Sequence, residues 1–305
     1  MEPLLALVGP TGSGKTEASL EIAEALGAEI LSIDSMQVYR GMDVGTAKPT
    51  AAQRARVRHH LLDLVDPSEP FSVAAFQAAA GEAADDVRRR GRRPLLVGGS
   101  GLYYRAVVDP FEFPGTEPGV RRELEREVEA LGPERLHARL AELDPVAAGR
   151  IEPGNARRTV RALEVAGITG RPFSSFAADW EERPVEGVRA AGVRVEAVVL
   201  RARVAARAQA MLDGGWLDEV RDLVDRGFGG WLTSTQAIGY AELAGHLAGE
   251  RTLAEALDRT VARTRAFARR QMAWFRRDPR IRWFDVGAEG ALGAVDRIVA
   301  HLEEG

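Results

Sequence analysis

Short apolar runs of strand length alternate with longer stretches of helical spacing along the first hundred residues. Leu4-Leu5-Ala6-Leu7-Val8 is followed by a glycine-rich turn and then by apolar positions at Leu20, Ile22, Ala23 and Leu26. That rhythm predicts a strand, a loop and an amphipathic helix over Glu17 to Leu26, with Gly27 as its stop. Glu29 to Ile33 reads as a second buried strand that delivers Asp34-Ser35 to its carboxyl end. Val73 to Arg90 reads as a helix, and Pro94 to Val97 as a third strand capped by Gly98-Gly99-Ser100-Gly101. Alternation of this kind predicts an α/β fold, a mostly parallel sheet flanked by helices, whose ligands gather outside the carboxyl ends of the strands.

The pattern changes after Pro110. A stretch rich in proline and glycine leads to Pro118, and from Gly119 to about Phe176 there is no strand signal, only helical patterns such as Val120 to Leu131 and Glu134 to Leu143. Pro184 to Gly187 closes this region, Val193 to Val199 returns as a strand, and the remainder reads as helical apart from a short strand at Ile281 to Phe284. The expected organisation is an α/β core over 1–113 and 188–305, interrupted by an inserted helical subdomain over 114–187.

Composition narrows the chemistry. The 305 residues, 45% hydrophobic and 28% charged, have room for one or two domains with a substantial core. With no cysteine, disulfides, thiolate metal sites and a cysteine nucleophile are excluded. No apolar run approaches the roughly 18 residues of a membrane span, which places the chain in the cytoplasm and away from the bilayer. The net charge of −4 argues against a uniformly basic nucleic-acid binder. Only Lys15 and Lys48 among 41 basic residues are lysine, and both fall in suspect stretches.

Gly9-Pro10-Thr11-Gly12-Ser13-Gly14-Lys15-Thr16 matches G-x-x-x-x-G-K-[ST] between a strand and a helix. The glycines let successive backbone N–H groups turn inward around an anion, the helix terminus adds its dipole, Lys15 reaches the outer phosphates and Thr16 is the candidate Mg²⁺ ligand. This specifies a di- or triphosphate and does not by itself specify ATP. Asp34, at the end of a strand, reads as a residue holding Mg²⁺ through water, as the base for a nucleophile, or as a turn aspartate. Gly98 to Gly101 is either a plain turn or a ligand wall.

Arg259, Arg263, Arg265, Arg269, Arg270, Arg276, Arg277, Arg280 and Arg282 crowd the carboxyl-terminal third around Trp274 and Phe275. Such a stripe suits a phosphate backbone with stacked bases, and a solvated amphipathic helix explains it equally well. Arg157-Arg158-Thr159-Val160-Arg161 forms a second basic cluster. The five histidines show no ligand spacing.

Three runs, Gly9 to Thr16, Asp34 to Pro49 and Leu95 to Tyr104, resemble the bacterial tRNA dimethylallyltransferase family, also called tRNA isopentenyltransferases. Asp144-Pro145, Asn155 to Glu164, Met211 to Val220, Ala237 to Tyr240 and Arg269 to Arg276 agree in order, so the likeness spans almost the whole chain. The resemblance implies that the loop cradles the pyrophosphate of dimethylallyl pyrophosphate and that the prenyl group passes to N6 of the adenosine 3′ of the anticodon, at tRNA position 37. It implies that Asp34 accepts a proton from N6, that Ser100 stands beside the reacting group, and that Arg203, or else Arg201 or Arg207, binds pyrophosphate. It implies contacts to the tRNA anticodon stem-loop from Asp34, Ser35, Met36 and Gln37, from Arg121, and from Arg157, Arg158, Thr159, Val160 and Arg161. It implies further contacts from Gln236, Ala237, Ile238, Gly239, Tyr240 and Ala241, and from Arg269, Arg270, Gln271, Met272, Ala273, Trp274, Phe275 and Arg276. Mg²⁺ and a monomer are the corresponding expectations.

The chain departs from the family at Ser100, where threonine is usual, and at Gln236 and Ala241, where arginines are common. The connection from Val199 to Arg203 is shortened, and the zinc finger of eukaryotic relatives is absent. From the phosphate loop alone a kinase or ATPase would be favoured. A GTP switch or RNA-binding module and a prenyltransferase acting on free AMP complete the alternatives, and the two basic stretches argue against the last.

Overall fold

The computed structural model of the chain describes residues 3–109, 111, 113–180 and 187–304. Six strands, β1 (Leu4–Val8), β2 (Ala28–Ser32), β3 (His59–His60), β4 (Arg93–Gly98), β5 (Val188–Val195) and β6 (Ile281–Val286), form one sheet in the order β3-β2-β4-β1-β5-β6. Every pairing is parallel. The central strand β1 is buried at all five positions, because a parallel sheet is covered by helices on both faces. Side chains alternate across it. Ala6 and Val8 pack with Leu31, Leu96, Phe76 and Tyr104, whereas Leu5 and Leu7 pack with Ile30, Leu95, Ile22 and Ile298.

The chain divides into two compact units, Met1–Val108 with Val185–Gly305, and Asp109–Pro184. The first carries the sheet and helices α1 (Lys15–Leu26), α2 (Ala51–Arg56), α3 (Val73–Arg89) and α4 (Gly101–Val108). The second holds α5 (Pro118–Leu131), α6 (Pro133–Leu143), α7 (Pro145–Ala148) and α8 (Ala156–Thr169) around Leu124, Leu136, Leu140 and Leu163, with no strand among its described residues. The first then continues with α9 (Ala197–Asp213), α10 (Trp216–Asp225), α11 (Tyr240–Leu247), α12 (Leu253–Phe275) and α13 (Val295–Glu303). Pro118, Pro133 and Pro145 start their helices, where the missing N–H costs nothing. Helices α5 and α6 therefore begin slightly ahead of the apolar periodicity. The closing segment expected at Pro184 to Gly187 lies outside the described residues except for Gly187. No described helix is long and apolar enough to cross a membrane.

One strand is displaced from its expected position. The β-branched run Val193 to Val199 suggests a strand, but β5 ends at Val195 and α9 begins at Ala197, leaving Val198 68% exposed on the first helical turn. The strand instead extends back through Arg189, Ala190, Ala191 and Gly192, weak strand formers placed by their register against β1. A Cβ at Gly192 would fall 2.5 Å from Ile281 and 2.8 Å from Trp283 of β6, so a bare residue is needed there. The two-residue β3 is too short to carry a periodic signal.

Candidate active site

The turn between β1 and α1 occupies residues 9–14 at the carboxyl edge of the sheet. Gly9, Gly12 and Gly14 have φ of 153°, 81° and 81°, a region that favours glycine. A Cβ on Gly9 would meet the Val193 carbonyl oxygen at 2.8 Å. No side chain caps α1 at Gly14, which leaves first-turn N–H groups and the positive helix end to a ligand. Lys15 arches back over the turn, its Nζ donating to the Pro10 carbonyl at 2.7 Å and to Ser13 Oγ at 3.2 Å. Burial, and next the charge of Arg207, push the Lys15 ammonium down to about 7, against the pull of Asp34. Thr16 stands half-buried beside it.

Asp34 follows β2, and its Oδ1 accepts from the Met36 N–H at 2.8 Å. Burial raises its pKa above the usual aspartate value, opposed by backbone N–H groups of Met36 and Gln37 and by the charges of Arg207 and Lys15. The charge of Arg207 thus acts on both Lys15 and Asp34, and those two act on each other, with Glu17 the larger charge acting on Arg207 itself. The three arginines of α9 offered by the sequence differ in their surroundings. Arg203 donates to the Ala288 carbonyl and lies beside Gly290 and Gly14 of the loop, whereas Arg207, one turn further, is half-buried, and its charge interacts with Glu17, Asp34 and Lys15. Arg201 is exposed and bonds its own helix at Ala197.

The loop from Asp34 to Lys48 is held from three sides. Gln37 accepts from Ser32 Oγ at 2.8 Å and donates to the carbonyls of Thr46 and Ala47 at 3.1 and 3.2 Å. Lys48, with a side chain only 2% exposed, donates to the Tyr39 carbonyl at 2.5 Å and to Asp43 Oδ1 and Asp63 Oδ1 at 2.6 Å each. All three ammonium protons are therefore used within the fold. Glu219 of α10 accepts from three successive backbone N–H groups, those of Asp43 and Val44 at 2.7 Å and of Gly45 at 3.1 Å. This bracing keeps Ala47 at φ 49°, a conformation that costs a non-glycine residue of order 1–3 kcal/mol. Lys48 is legible in the sequence as one of two lysines, but Glu219 has no local signal, since its partners lie some 175 residues away.

Ser100 sits at the start of α4, its Oγ accepting from the Tyr103 N–H at 3.4 Å and its carbonyl from the Tyr104 N–H at 2.9 Å. The glycines around it are required by packing. A Cβ on Gly98 would strike Ile33 at 2.7 Å, one on Gly99 would strike Gln271 at 2.2 Å, and one on Gly101 would strike Trp274 at 2.3 Å.

The stretches on α12, around residues 236–241 and at residues 157–161 each hold both exposed and buried residues, whereas residues 34–37 are uniformly half-buried. On α12, Arg269, Arg270, Ala273 and Arg276 are exposed and Met272 and Trp274 are half-buried, whereas Gln271 and Phe275 are buried. Of the other arginines in that stripe, Arg280 is buried against Asp278, Arg263 pairs with Glu242, and Arg282 pairs with Glu304 at 3.1 Å. Gln236 and Ala241 are exposed and Ile238 is half-buried, but Ala237, Gly239 and Tyr240 are buried, and Gly239 lies under Trp216. Ser35, Met36 and Gln37 are half-buried.

In the helical unit Arg157 and Arg158 are exposed, while Thr159 and Val160 are buried. Arg161 and Arg121 both bond Glu164, at 2.8 and 2.6 Å, and Arg161 also donates to the carbonyls of Pro114 and Gly115. Arg150 and Arg158 edge a shallow depression floored by Ile151 and Phe173.

A family model described as IPP transferase matches residues 37–278, and one described as isopentenyl transferase matches residues 2–66. The chain is 49% identical to the tRNA dimethylallyltransferase of a Nocardioides species over 99% of its own length and 97% of that protein's. It is 49% identical to the enzyme of the same name from Salinispora arenicola, covering 97% of this chain and 86% of that one. Among solved structures it is similar to the tRNA isopentenylpyrophosphate transferase of Bacillus halodurans, with a TM-score of 0.70, 41% identity, and 99% and 97% of the two chains covered. It is also similar to a eukaryotic dimethylallyltransferase acting on tRNA, with a TM-score of 0.80 and 25% identity over 98% of this chain and 77% of that one. A family model that matches most of the chain, and relatives about half identical along nearly all of it, establish that this chain belongs to the IPP transferase family, that of the tRNA dimethylallyltransferases.

Proposed function

We propose that this chain transfers the dimethylallyl group of dimethylallyl pyrophosphate to N6 of the adenosine 3′ of the anticodon in tRNA, releasing pyrophosphate. The observation that carries this reading is the shared environment of Lys15, Arg207 and Asp34 at the mouth of the glycine loop. It sets an anion cradle beside a half-buried carboxylate, the pair of functions that ionisation of an allylic pyrophosphate and attack by a weakly basic amine require.

The loop N–H groups, Lys15 and Arg207 take up the negative charge that develops as the C1–O bond of the donor breaks. The N6 lone pair forms the new bond to C1, and the N6 proton passes to the Asp34 carboxylate, a base contribution of roughly 10²–10⁴. Pyrophosphate leaves on the loop. Ser100 is the hydroxyl beside the acceptor. A duplex-stacked base cannot reach such a site, so the adenine is flipped out of its stack.

Mg²⁺ fits the donors present. The half-buried hydroxyl of Thr16, on the first turn of α1, is the hard oxygen that would hold the ion together with phosphate oxygens and water. When bound, the ion would neutralise charge on the leaving group. The exposed Arg157, Arg158, Arg269, Arg270 and Arg276 supply phosphate contacts for tRNA.

Incubating the purified protein with radiolabelled dimethylallyl pyrophosphate, Mg²⁺ and tRNA, AMP or ATP tests the proposal. Label in tRNA alone is expected. Hydrolysis of ATP without prenyl transfer would identify a kinase or ATPase instead, and label in AMP would identify a free-nucleotide prenyltransferase.

A further inference from the structure

Helix α12 carries its arginines outward and one buried amide inward. Gln271, 6% exposed, accepts at Oε1 from the Thr11 N–H at 2.9 Å and donates from Nε2 to the Gly99 carbonyl at 2.9 Å. A backbone N–H can only donate and a carbonyl can only accept, so this pair of partners fixes which way the amide points. Trp274, three residues on and hence on the same helical face, lies over the bare Cα of Gly101. Phe275 meets Tyr104 edge-on at 5.9 Å. One face of α12 is therefore seated on α4 through Trp274 and Phe275, and Gln271 ties it both to Gly99 before Ser100 and to the phosphate loop.

We infer that Gln271 is a positioning residue of the donor site, whose amide ties Thr11 of the phosphate loop to Gly99 beside Ser100 and so sets the spacing between the anion cradle and the wall against which transfer occurs. This rests on the prenyl-transfer reading given above. The bond commits the Thr11 N–H to the protein and fixes the orientation of the peptide that opens the cradle, and with it the directions of the N–H groups that follow. The Gly99 carbonyl is fixed one residue from Ser100. Gln271 thus works on the opposite side of α12 from the arginines that face solvent, and its loss acts on the donor and not on RNA binding.

The test compares wild type with Gln271→Leu, which removes both bonds, and with Gln271→Glu, which keeps an acceptor for Thr11 but loses the donor to Gly99. Three quantities are measured: KM for dimethylallyl pyrophosphate at saturating tRNA, Ki of inorganic pyrophosphate, and Kd for tRNA with its salt dependence. Gln271→Leu is expected to raise both donor-side constants roughly tenfold, the scale of a lost buried hydrogen bond, with Gln271→Glu recovering part of the loss. The tRNA Kd and its salt slope are expected to stay within about twofold of wild type, since no phosphate contact is removed. Weakened tRNA binding with unchanged donor constants would overturn the inference and make Gln271 an RNA contact. Unchanged constants throughout would overturn it as well. If Gln271→Leu does not fold, Gln271→Glu alone carries the comparison. A wild-type protein that transfers no prenyl group refutes the prenyl-transfer reading separately, with the pyrophosphate Ki still reporting on Gln271.

Discussion

The Tyr240 hydroxyl donates to Glu219 Oε1 at 2.6 Å, so the carboxylate that grips the backbone of residues 43–45 is itself held by a buried side chain of the next helix. Burial, and then the Glu219 charge, raise the tyrosine's pKa, so it remains a donor throughout the working range. Gly45 and Gly239 let this assembly close, since a Cβ at either would overlap Trp216. Glu219→Ala leaves three backbone donors and one hydroxyl without their acceptor and is expected to cost about 2–3 kcal/mol. That corresponds to a fall in Tm of roughly 4–12 °C for a unit of this size. Glu219→Gln should lose less, because one oxygen acceptor survives. A thermal melt within 1 °C or so of wild type for Glu219→Ala would show that the loop does not depend on this grip.

Lys15 should make donor binding pH-dependent near neutrality. Its pKa is about 7 in the folded protein against an ordinary value of 10.5. Between those values the unfolded chain binds the proton that the folded chain does not, so this group's contribution to stability rises as pH rises from about 7 to 10.5. A bound pyrophosphate favours the ammonium, so binding above pH 7 takes up a proton and weakens with increasing pH. Calorimetry of dimethylallyl pyrophosphate binding at pH 8, in two buffers of different ionisation enthalpy, should detect that uptake. Lys15→Arg, whose side chain stays charged, should abolish it; equal uptake in both proteins would place the titrating group elsewhere.

Asp34 should trade stability for chemistry. Its folded pKa is raised above 3.8, chiefly by burial, so the folded state holds this proton more tightly than the unfolded chain does and the group's contribution improves as pH falls through the folded value. Asp34→Asn is therefore expected to melt higher than wild type at pH 7, by a margin that shrinks toward pH 4. The same variant should lose roughly 10²–10⁴ in single-turnover rate with tRNA affinity unchanged. If added Mg²⁺ restores the rate, Asp34 is a metal-holding residue and not the base.

The arginines fall into two classes with different phenotypes. Alanine at Arg157, Arg158, Arg269, Arg270 or Arg276, all exposed, should each reduce the log–log salt slope of tRNA binding by about one unit where a phosphate contact is lost. Melting temperatures should barely move, as exposed charges contribute little to folding. Arg121→Ala and Arg161→Ala instead each remove one of the two arginine partners of Glu164, whose side chain is 0% exposed and which also accepts from the Glu117 N–H. Both should destabilise the helical unit by about 1–3 kcal/mol. Filter-binding titrations over a salt series, run beside thermal melts, separate the classes, and a slope change at Arg161 without loss of stability would move it to the first.

Local patterning determined much of this protein on its own. The continuous apolar run of β1, the helical rhythm after Lys15 and the glycine stop at Gly27 specify a strand, loop and helix unit without reference to the rest of the chain. The spacing of Gly9, Gly14, Lys15 and Thr16 carries its chemistry for the same reason, since a phosphate cradle is built from consecutive backbone groups. Tertiary structure alone decided which side chains meet across long separations. Arg203 and Arg207 are both arginines on one helix, and only the packing of α9 against Gly12 brings one to Ala288 and gives the other its charge interactions with Glu17, Asp34 and Lys15. Gln271 lies among exposed arginines in sequence, yet helical rotation places it inside, 260 residues from its partner Thr11. Glu219 binds backbone N–H groups, which every residue possesses, and so leaves no complementary mark in the chain it grips. A linear pattern records periodicity and neighbours, whereas charge coupling and hydrogen-bond partnership depend on distances that exist only once the sheet has assembled.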